Sequence, residues 1–524
     1  MPSDAAATNP LQQLVDAALA GRSRRDYPAA LAATQKAFQL APRAFLNAKL
    51  WSLLFNAPPW FETAVEHEDY LAFADTLMAL VETACGAAEP RFAADLAAQF
   101  LHGAQFRHTV HNDLSLTGFM GRRAALFGYA LSHSAVPRGH VFPTPVANGA
   151  RPRLGIIFKH MQQDPETTSV LPFFQHAKAA GIEVILFVVE ARGHQAFVDH
   201  LKTVCDKIAQ LPTSVPDAVT MLRQANLDIV LFGNDITAKP SVPAYLSFYR
   251  IARRMCCCVS TLVTTASPQM DVYFGCDYYA ARGCASEFTE RFVSLPDPGF
   301  AFLFPSRQAP AEVMDRAALG VSPDTLLLTS GANHTKLHAD LVDVWIDILR
   351  RLPQARLLLY PFPPHFGAAG MEVEQRLRAQ LTNRGIAADR LILPPPLPGR
   401  DAVIAMLRHV DLGLDSFPYT GVTTIVDAIE AGLPTVSLAG RTLRTAQGGA
   451  ILHSVGMDEL VVETGAAYVD LAVALGEDAT RREGLRARLQ AVAGGTPPFF
   501  DTDRFGKAVA AAYHQLHADM AAGC

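Results

Sequence analysis

From position 153 onward, short apolar runs alternate with segments of helical period, and this alternation constrains the fold more than any other feature of the 524-residue chain. The first set of runs is LGIIF (154–158), VILFVV (184–189), DIVLF (228–232) and CCCVSTLV (256–263). The second is TLLLTS (325–330), RLLLY (356–360), RLILP (390–394), LGLDSF (412–417) and PTVSL (434–438). Continuous hydrophobicity of this kind belongs to strands covered on both faces, as in a parallel sheet wrapped by helices. Two such sets in tandem predict an α/β protein with two Rossmann-like sheets and a cleft between them, lined by the loops that follow the strands.

Within the second set, residues 411–440 read DLGLDSFPYTGVTTIVDAIEAGLPTVSLAG. Leu412, Leu414 and Phe417 form an apolar strand, Gly421 frees the turn, Thr423 and Thr424 open a helix, and Asp427 follows in its first turn. The unpaired N–H groups and positive end of such a helix attract an anion outside the strand ends, so a phosphate-bearing ligand is expected here. An ordinary strand–helix turn whose threonines cap the helix has the same pattern.

Residues 1–140 carry no strand-like runs. Ala-rich amphipathic segments at 11–19, 29–40, 70–84 and 92–101 predict an all-α domain. The piece DYPAALAATQKAFQLAP (26–42) resembles the second half of a tetratricopeptide repeat, but no 34-residue recurrence follows. One TPR-like hairpin rather than a solenoid is therefore expected. The proline- and glycine-containing stretch 137–152 reads as a linker. Domains over 153–310 and 311–524 complete the expected organisation.

The formal charge of -5 and pI near 6.4 show no basic surplus, which argues against nucleic acid as a partner. An acidic substrate needs only a local basic pocket. The N-terminal MPSDAAATNPLQQLVDAAL lacks the features of a signal peptide, and no apolar run reaches the ~18 residues expected of a membrane span. The eight cysteines form no CxxC spacing, so neither a disulfide framework nor a zinc site is indicated, and a cytoplasmic protein is expected. Neighbouring residues of a strand point to opposite faces, so Cys256, Cys257 and Cys258 cannot converge on one metal. His108 and His111 have the spacing of one helical face but no accompanying ligand set. No metal site and no resident cofactor are expected.

Several ordered motifs resemble glycosyltransferase family 41, which holds the O-GlcNAc transferases, the SPINDLY-type enzymes and the bacterial adhesin N-glycosyltransferases. They are RRMCCCVSTLVTTASPQMDVYF (253–274), EFTERFVSLPD (287–297), GANHTKLHADLVDVWIDILRRLPQARLLL (331–359), FPYTGVTTIVDAIEAGLPTVSLAG (417–440) and HSVGMDELV (453–461), spread over roughly the last 370 residues. The short helical N-terminal domain is closer to the N-glycosyltransferase branch, whereas FPYTG and SLAG are closer to bacterial O-GlcNAc-transferase-like proteins. The resemblance implies the GT-B architecture and inverting, metal-independent transfer of a hexose or N-acetylhexosamine. The donor would be a UDP-sugar, which is a substrate rather than a cofactor, and the acceptor a protein or peptide side chain, Asn or Ser/Thr. A glycosyltransferase acting on a glycan, lipid or small molecule, and a nucleotide-sugar-binding scaffold without catalysis, are the alternatives.

By the same resemblance, Lys336 holds the diphosphate, Thr423 and Thr424 contact phosphate beside Gly421, and Asp427 binds the ribose hydroxyls. A lysine at a helix start otherwise reads as a solvated side chain, and an Asp in a first turn as a favourable charge. Val422 stands where O-GlcNAc transferases carry His. In FKHMQQDPETTS (158–169) the pair Asp164-Pro165 lies where they place His-Pro near the acceptor, so Asp164 and His160 are the candidate bases. Either also reads as a plain loop residue or helix cap. His365, in PFPPHF (361–366), ends a strand at the expected cleft and is a candidate for nucleotide contact or part of a proline-set loop. Arg441 and Arg444 follow the last cleft strand and would meet phosphate or cover the surface.

Overall fold

The computed structural model describes residues 9–58, 60–142, 150–305, 309–310, 312–360 and 367–522. Six α-helices come first, Pro10–Ser23, Tyr27–Leu40, Ala48–Phe55, Ala64–Ala87, Pro90–Gly103 and Thr117–Ala130. Five of them start where a side chain takes up a free backbone N–H, at Asn9, Asp26, Asn47, Thr63 and Glu89. The first two form a hairpin so tight that a Cβ on Gly21 would lie 2.8 Å from the Ala30 nitrogen. The helix Ala64–Ala87 is long and apolar enough to cross a membrane by length and composition. In the fold, its Tyr70, Leu77, Met78 and Val81 are buried in the core of the helical domain.

Seven parallel strands make the first sheet: β1 (Arg153–Phe158), β2 (Glu183–Val188), β3 (Lys207–Gln210), β4 (Ile229–Phe232), β5 (Arg254–Cys257), β6 (Val272–Cys276) and β7 (Arg291–Leu295), in the order β3-β2-β1-β4-β5-β6-β7. Six make the second: β8 (Leu326–Ser330), β9 (Ala355–Leu359), β10 (Leu391–Ile392), β11 (Leu412–Leu414), β12 (Thr435–Leu438) and β13 (Val461–Val462), in the order β10-β9-β8-β11-β12-β13. The architecture is α/β GT-B, two Rossmann-like sheets preceded by a helical region. The run 256–263 is a strand only as far as Cys257; the chain then turns back, with Thr261 N–H donating to the Cys258 carbonyl at 2.8 Å.

The period of two along the strands sorts side chains between two cores. Leu154, Ile156 and Phe158 join the core shared with the second sheet, while Ile157 faces the core shared with the helical domain. Cys256 and Cys258 fall in the first core and Cys257 in the second, on opposite faces of the sheet. The C-terminal helix Thr502–Ala521 crosses back to the first sheet, where Phe505 packs 5.0 Å from Phe173 and Tyr513 5.7 Å from Phe274. Each sheet reverses its strand order once, between β1 and β4 and between β8 and β11. In open α/β sheets the crevice beyond such a reversal is where ligands bind, and both crevices here face the space between the sheets.

Candidate active site

The loops after β8 and β11 build one wall. Asn333 Oδ1 accepts the Thr335 N–H at 3.0 Å, turning the chain so that Lys336 Nζ donates to the Thr420 carbonyl at 3.0 Å. The same ammonium stands 4.6 Å from the centre of the Tyr419 ring. Burial lowers the Lys336 pKa to about 8, opposed by Asp415. Asp415 itself organises the second loop: its carboxylate accepts Ser416 N–H and Gly421 N–H, each at 2.8 Å, and the Ser437 hydroxyl at 2.7 Å. Burial raises its pKa to about 6 against those bonds and Lys336, so it is ionised at neutral pH.

Glycine at 421 is a packing requirement, because a Cβ there would lie 2.2 Å from Thr424 Oγ1 and 2.7 Å from Asp415 Oδ1. The helix Thr423–Ala431 then begins at Val422 with no side chain capping it. Thr423 and Thr424 stand half-exposed on its first turn, so its free N–H groups and its positive end face the crevice that holds Lys336. Asp427 is buried behind them, and its Oδ1 accepts from Arg400 Nε at 2.6 Å. The Arg400 guanidinium also binds Glu430 and lies 4.0 Å over the Phe304 ring.

The loops after β1 and β4 build the opposite wall. Asp164 Oδ1 accepts the Thr167 N–H at 2.9 Å and caps the short helix Pro165–Val170, while Oδ2 lies 3.8 Å from His160 Nε2. His160 Nδ1 accepts the Gln162 N–H at 3.4 Å. Asp164 thus carries the capping role that its sequence position also allowed. Glu166, two residues on, reaches the neighbouring loop: its Oε1 accepts Asp235 N–H at 2.6 Å and its Oε2 accepts Asn234 Nδ2 at 2.9 Å. Across the cleft, the Tyr419 phenol lies within electrostatic reach of Asp235 and Glu166. Among the described residues, no three His, Cys, Asp or Glu side chains form a group able to hold a metal ion.

Arg441 covers the surface, its side chain exposed, whereas Arg444 has different work from either expectation. Arg444 is 2% exposed and donates to the Val110 carbonyl at 2.8 Å, the Asn112 side-chain oxygen at 3.1 Å and the Leu114 carbonyl at 2.6 Å. It fastens the helical domain to the second sheet. Asp113, from the same helical-domain loop, accepts the N–H groups of Arg441 at 2.8 Å and Thr442 at 3.1 Å and the Thr445 hydroxyl at 2.6 Å, sealing the start of the helix Leu443–Ser454. His111 falls beyond the short turn Arg107–Val110. Its Nδ1 is 2.7 Å from the Thr335 carbonyl, and its ring lies 4.8 Å from that of Tyr419.

The fold therefore collects Lys336, Gly421, Thr423, Thr424 and Asp427 on one wall and His160 and Asp164 on the other; His365 lies outside the described residues. Asp415, Tyr419, Glu166 and Arg400 escaped the sequence reading, and His111 was weighed there only as a metal ligand. A carboxylate ending a buried strand was a visible signal for Asp415. The others owe their positions to contacts between distant segments.

Residues 307–509 match the model of glycosyl transferase family 41. A probable UDP-N-acetylglucosamine–peptide N-acetylglucosaminyltransferase SPINDLY from Petunia hybrida is 29% identical over 234 residues, 45% of this chain and 24% of that protein. The probable enzyme of the same activity named SEC, from Arabidopsis thaliana, is 22% identical over 382 residues, 70% of this chain and 37% of that protein. The chain spans about a quarter of the length of the SPINDLY relatives it matches. Among solved structures, a mutant of the Thermobaculum terrenum O-GlcNAc transferase superposes over the whole of both chains with a TM-score of 0.63 at 22% identity. The second sheet and the open helix start at Thr423 thus lie in the region that matches glycosyl transferase family 41, set on a GT-B frame that the chain shares from end to end with that structure.

Proposed function

We propose that the chain is an inverting, metal-independent glycosyltransferase that moves a hexose or N-acetylhexosamine from a UDP-sugar to a protein side chain. One observation carries the reading. An uncapped helix start and a half-buried lysine face the same crevice, and the two relatives described above bear the name probable UDP-N-acetylglucosamine–peptide N-acetylglucosaminyltransferase. Breaking the bond between the sugar and the β-phosphate leaves negative charge on that phosphate. Fixed donors aimed at that charge stabilise the transition state more than the ground state. Lys336 supplies a cation, the Thr423–Ala431 helix supplies N–H groups and the two threonines supply hydroxyls, while Asp427 faces the ribose. Asp415 holds the loop that aligns them.

Incubation with a panel of UDP-sugars and candidate acceptor proteins, read by intact mass, tests this function. A mass increase of one sugar on a protein, undiminished in EDTA, is the expected result. Sugar found only on a glycan or lipid would replace the protein acceptor, and loss of transfer in EDTA restored by manganese would overturn metal independence.

A further inference from the structure

Resting on the glycosyltransferase reading, we propose that Glu166, and neither Asp164 nor His160, accepts the proton of the acceptor nucleophile. The argument is one of position and commitment. Glu166 sits where β1 and β4 diverge, in the crevice opposite the one that holds Lys336. Its carboxylate is aimed by two donors from the β4 loop, the Asp235 N–H at 2.6 Å and the Asn234 amide at 2.9 Å. The orientation of that amide is set independently, because its oxygen accepts the Lys159 N–H at 2.6 Å. Each Glu166 oxygen keeps a further lone pair. Tyr419 is the residue between the walls, with Lys336 over its ring and Glu166 within electrostatic reach of its phenol. A carboxylate facing the phosphate-binding wall across one aromatic side chain is placed to meet a nucleophile approaching the anomeric carbon.

The neighbouring carboxylates are committed elsewhere. Asp235 accepts Thr237 N–H at 2.8 Å, the Thr237 hydroxyl at 2.6 Å and Ala238 N–H at 3.2 Å. Asp164 caps its helix and pairs with His160. The groups that bear on the Glu166 charge are Asp164 on its own helix, Asp235 on the β4 loop, and Cys258 and Tyr419, which in turn feel it from the end of β5 and the facing domain. Burial dominates and raises Glu166 to about 7, which is where a base must stand to hold a proton only briefly near neutral pH. In the step itself, the acceptor oxygen or nitrogen forms a bond to the anomeric carbon. The bond from that carbon to the β-phosphate oxygen breaks, its electron pair leaving with UDP, and the acceptor proton passes to Glu166, which later releases it to water.

UDP release from UDP-N-acetylglucosamine, measured from pH 5.5 to 8.5 with water or a peptide pool as acceptor, tests the assignment. Wild-type kcat should fall about tenfold per pH unit below about pH 7. E166Q should be slower by about 10²-fold or more, with that acid limb gone and UDP affinity within a few-fold of wild type. D164N and H160A should keep the limb. Near wild-type turnover in E166Q, or disappearance of the limb in H160A, overturns the proposal. Should E166Q unfold, as its melting curve would report, the limb decides: retained near pH 7 in both H160A and D164N it supports Glu166, and lost in either it does not. A wild-type protein that binds no UDP and turns over no UDP-sugar overturns the glycosyltransferase reading together with this one, whereas turnover indifferent to E166Q overturns this one alone.

Discussion

Two helices follow neighbouring strands of the second sheet and present their starts to the same edge, yet the molecule treats them in opposite ways. The helix Leu443–Ser454, after β12, begins beside the Asp113 carboxylate, which accepts the N–H groups of Arg441 and of the N-cap Thr442 and the Thr445 hydroxyl, and so balances its positive end. The helix Thr423–Ala431, after β11, begins on Val422 with no cap, beside a lysine. Any helix start attracts an anion. What separates a ligand site from a structural joint is whether a carboxylate from another domain closes on the helix start or a cation stands beside it.

The most forceful way to break this comparison is Lys336→Ala. UDP should bind more weakly in calorimetry, and turnover should fall by about 10²–10³-fold, the size of losing one charge-stabilising donor. Unchanged affinity and rate would mean that the open helix is merely uncapped. The comparison sharpens with pH. A lysine whose pKa is lowered to about 8 is charged below that pH and neutral above it. UDP association should therefore be flat at lower pH and fall by up to about tenfold per unit above pH 8, and Lys336→Arg should extend the plateau. Asp113→Ala attacks the sealed helix. It should cost about 0.5–2 kcal/mol of stability, read as a lowered Tm, with UDP affinity unchanged. A collapse of UDP binding instead would exchange the roles of the two helices. The smallest effect expected is that of His111→Ala, which removes one hydrogen bond to the turn carrying Lys336. A net value of about 0.5–1.5 kcal/mol predicts two- to tenfold weaker UDP binding.

What was legible in the chain was local. The helix start at Thr423 and the freedom needed at Gly421 are properties of a few consecutive residues, and the buried strands announce themselves by continuous hydrophobicity. β3 escaped because Lys207–Gln210 is a short edge strand with polar ends, exposed at both of them, and β6, β7 and β13 also lay outside the runs read as strands. The run through Cys256 was read too long because apolar residues continue past the strand into a buried turn. The Asp113–Arg441 contact joins residues 328 apart, and Asn234 meets Glu166 across 68. Neither pattern nor spacing carries such information. Asp164 shows the converse: its position in the loop was legible, but the chemistry taken up there by the cap and by Glu166 depends on how the β4 loop closes over it.

The Arg444 guanidinium has its acceptors on a different domain from its own, and the core on one face of the first sheet is shared with the first six helices. Residues 1–140 therefore behave less as an accessory module than as the missing half of an obligate dimer that happens to be joined by a peptide link. Cutting them away would strip the Arg444 guanidinium of its three acceptors and bare an apolar sheet face. Two polypeptides divided between the helix Thr117–Ala130 and β1 would be expected to co-purify as a complex, while a fragment beginning at β1 would aggregate.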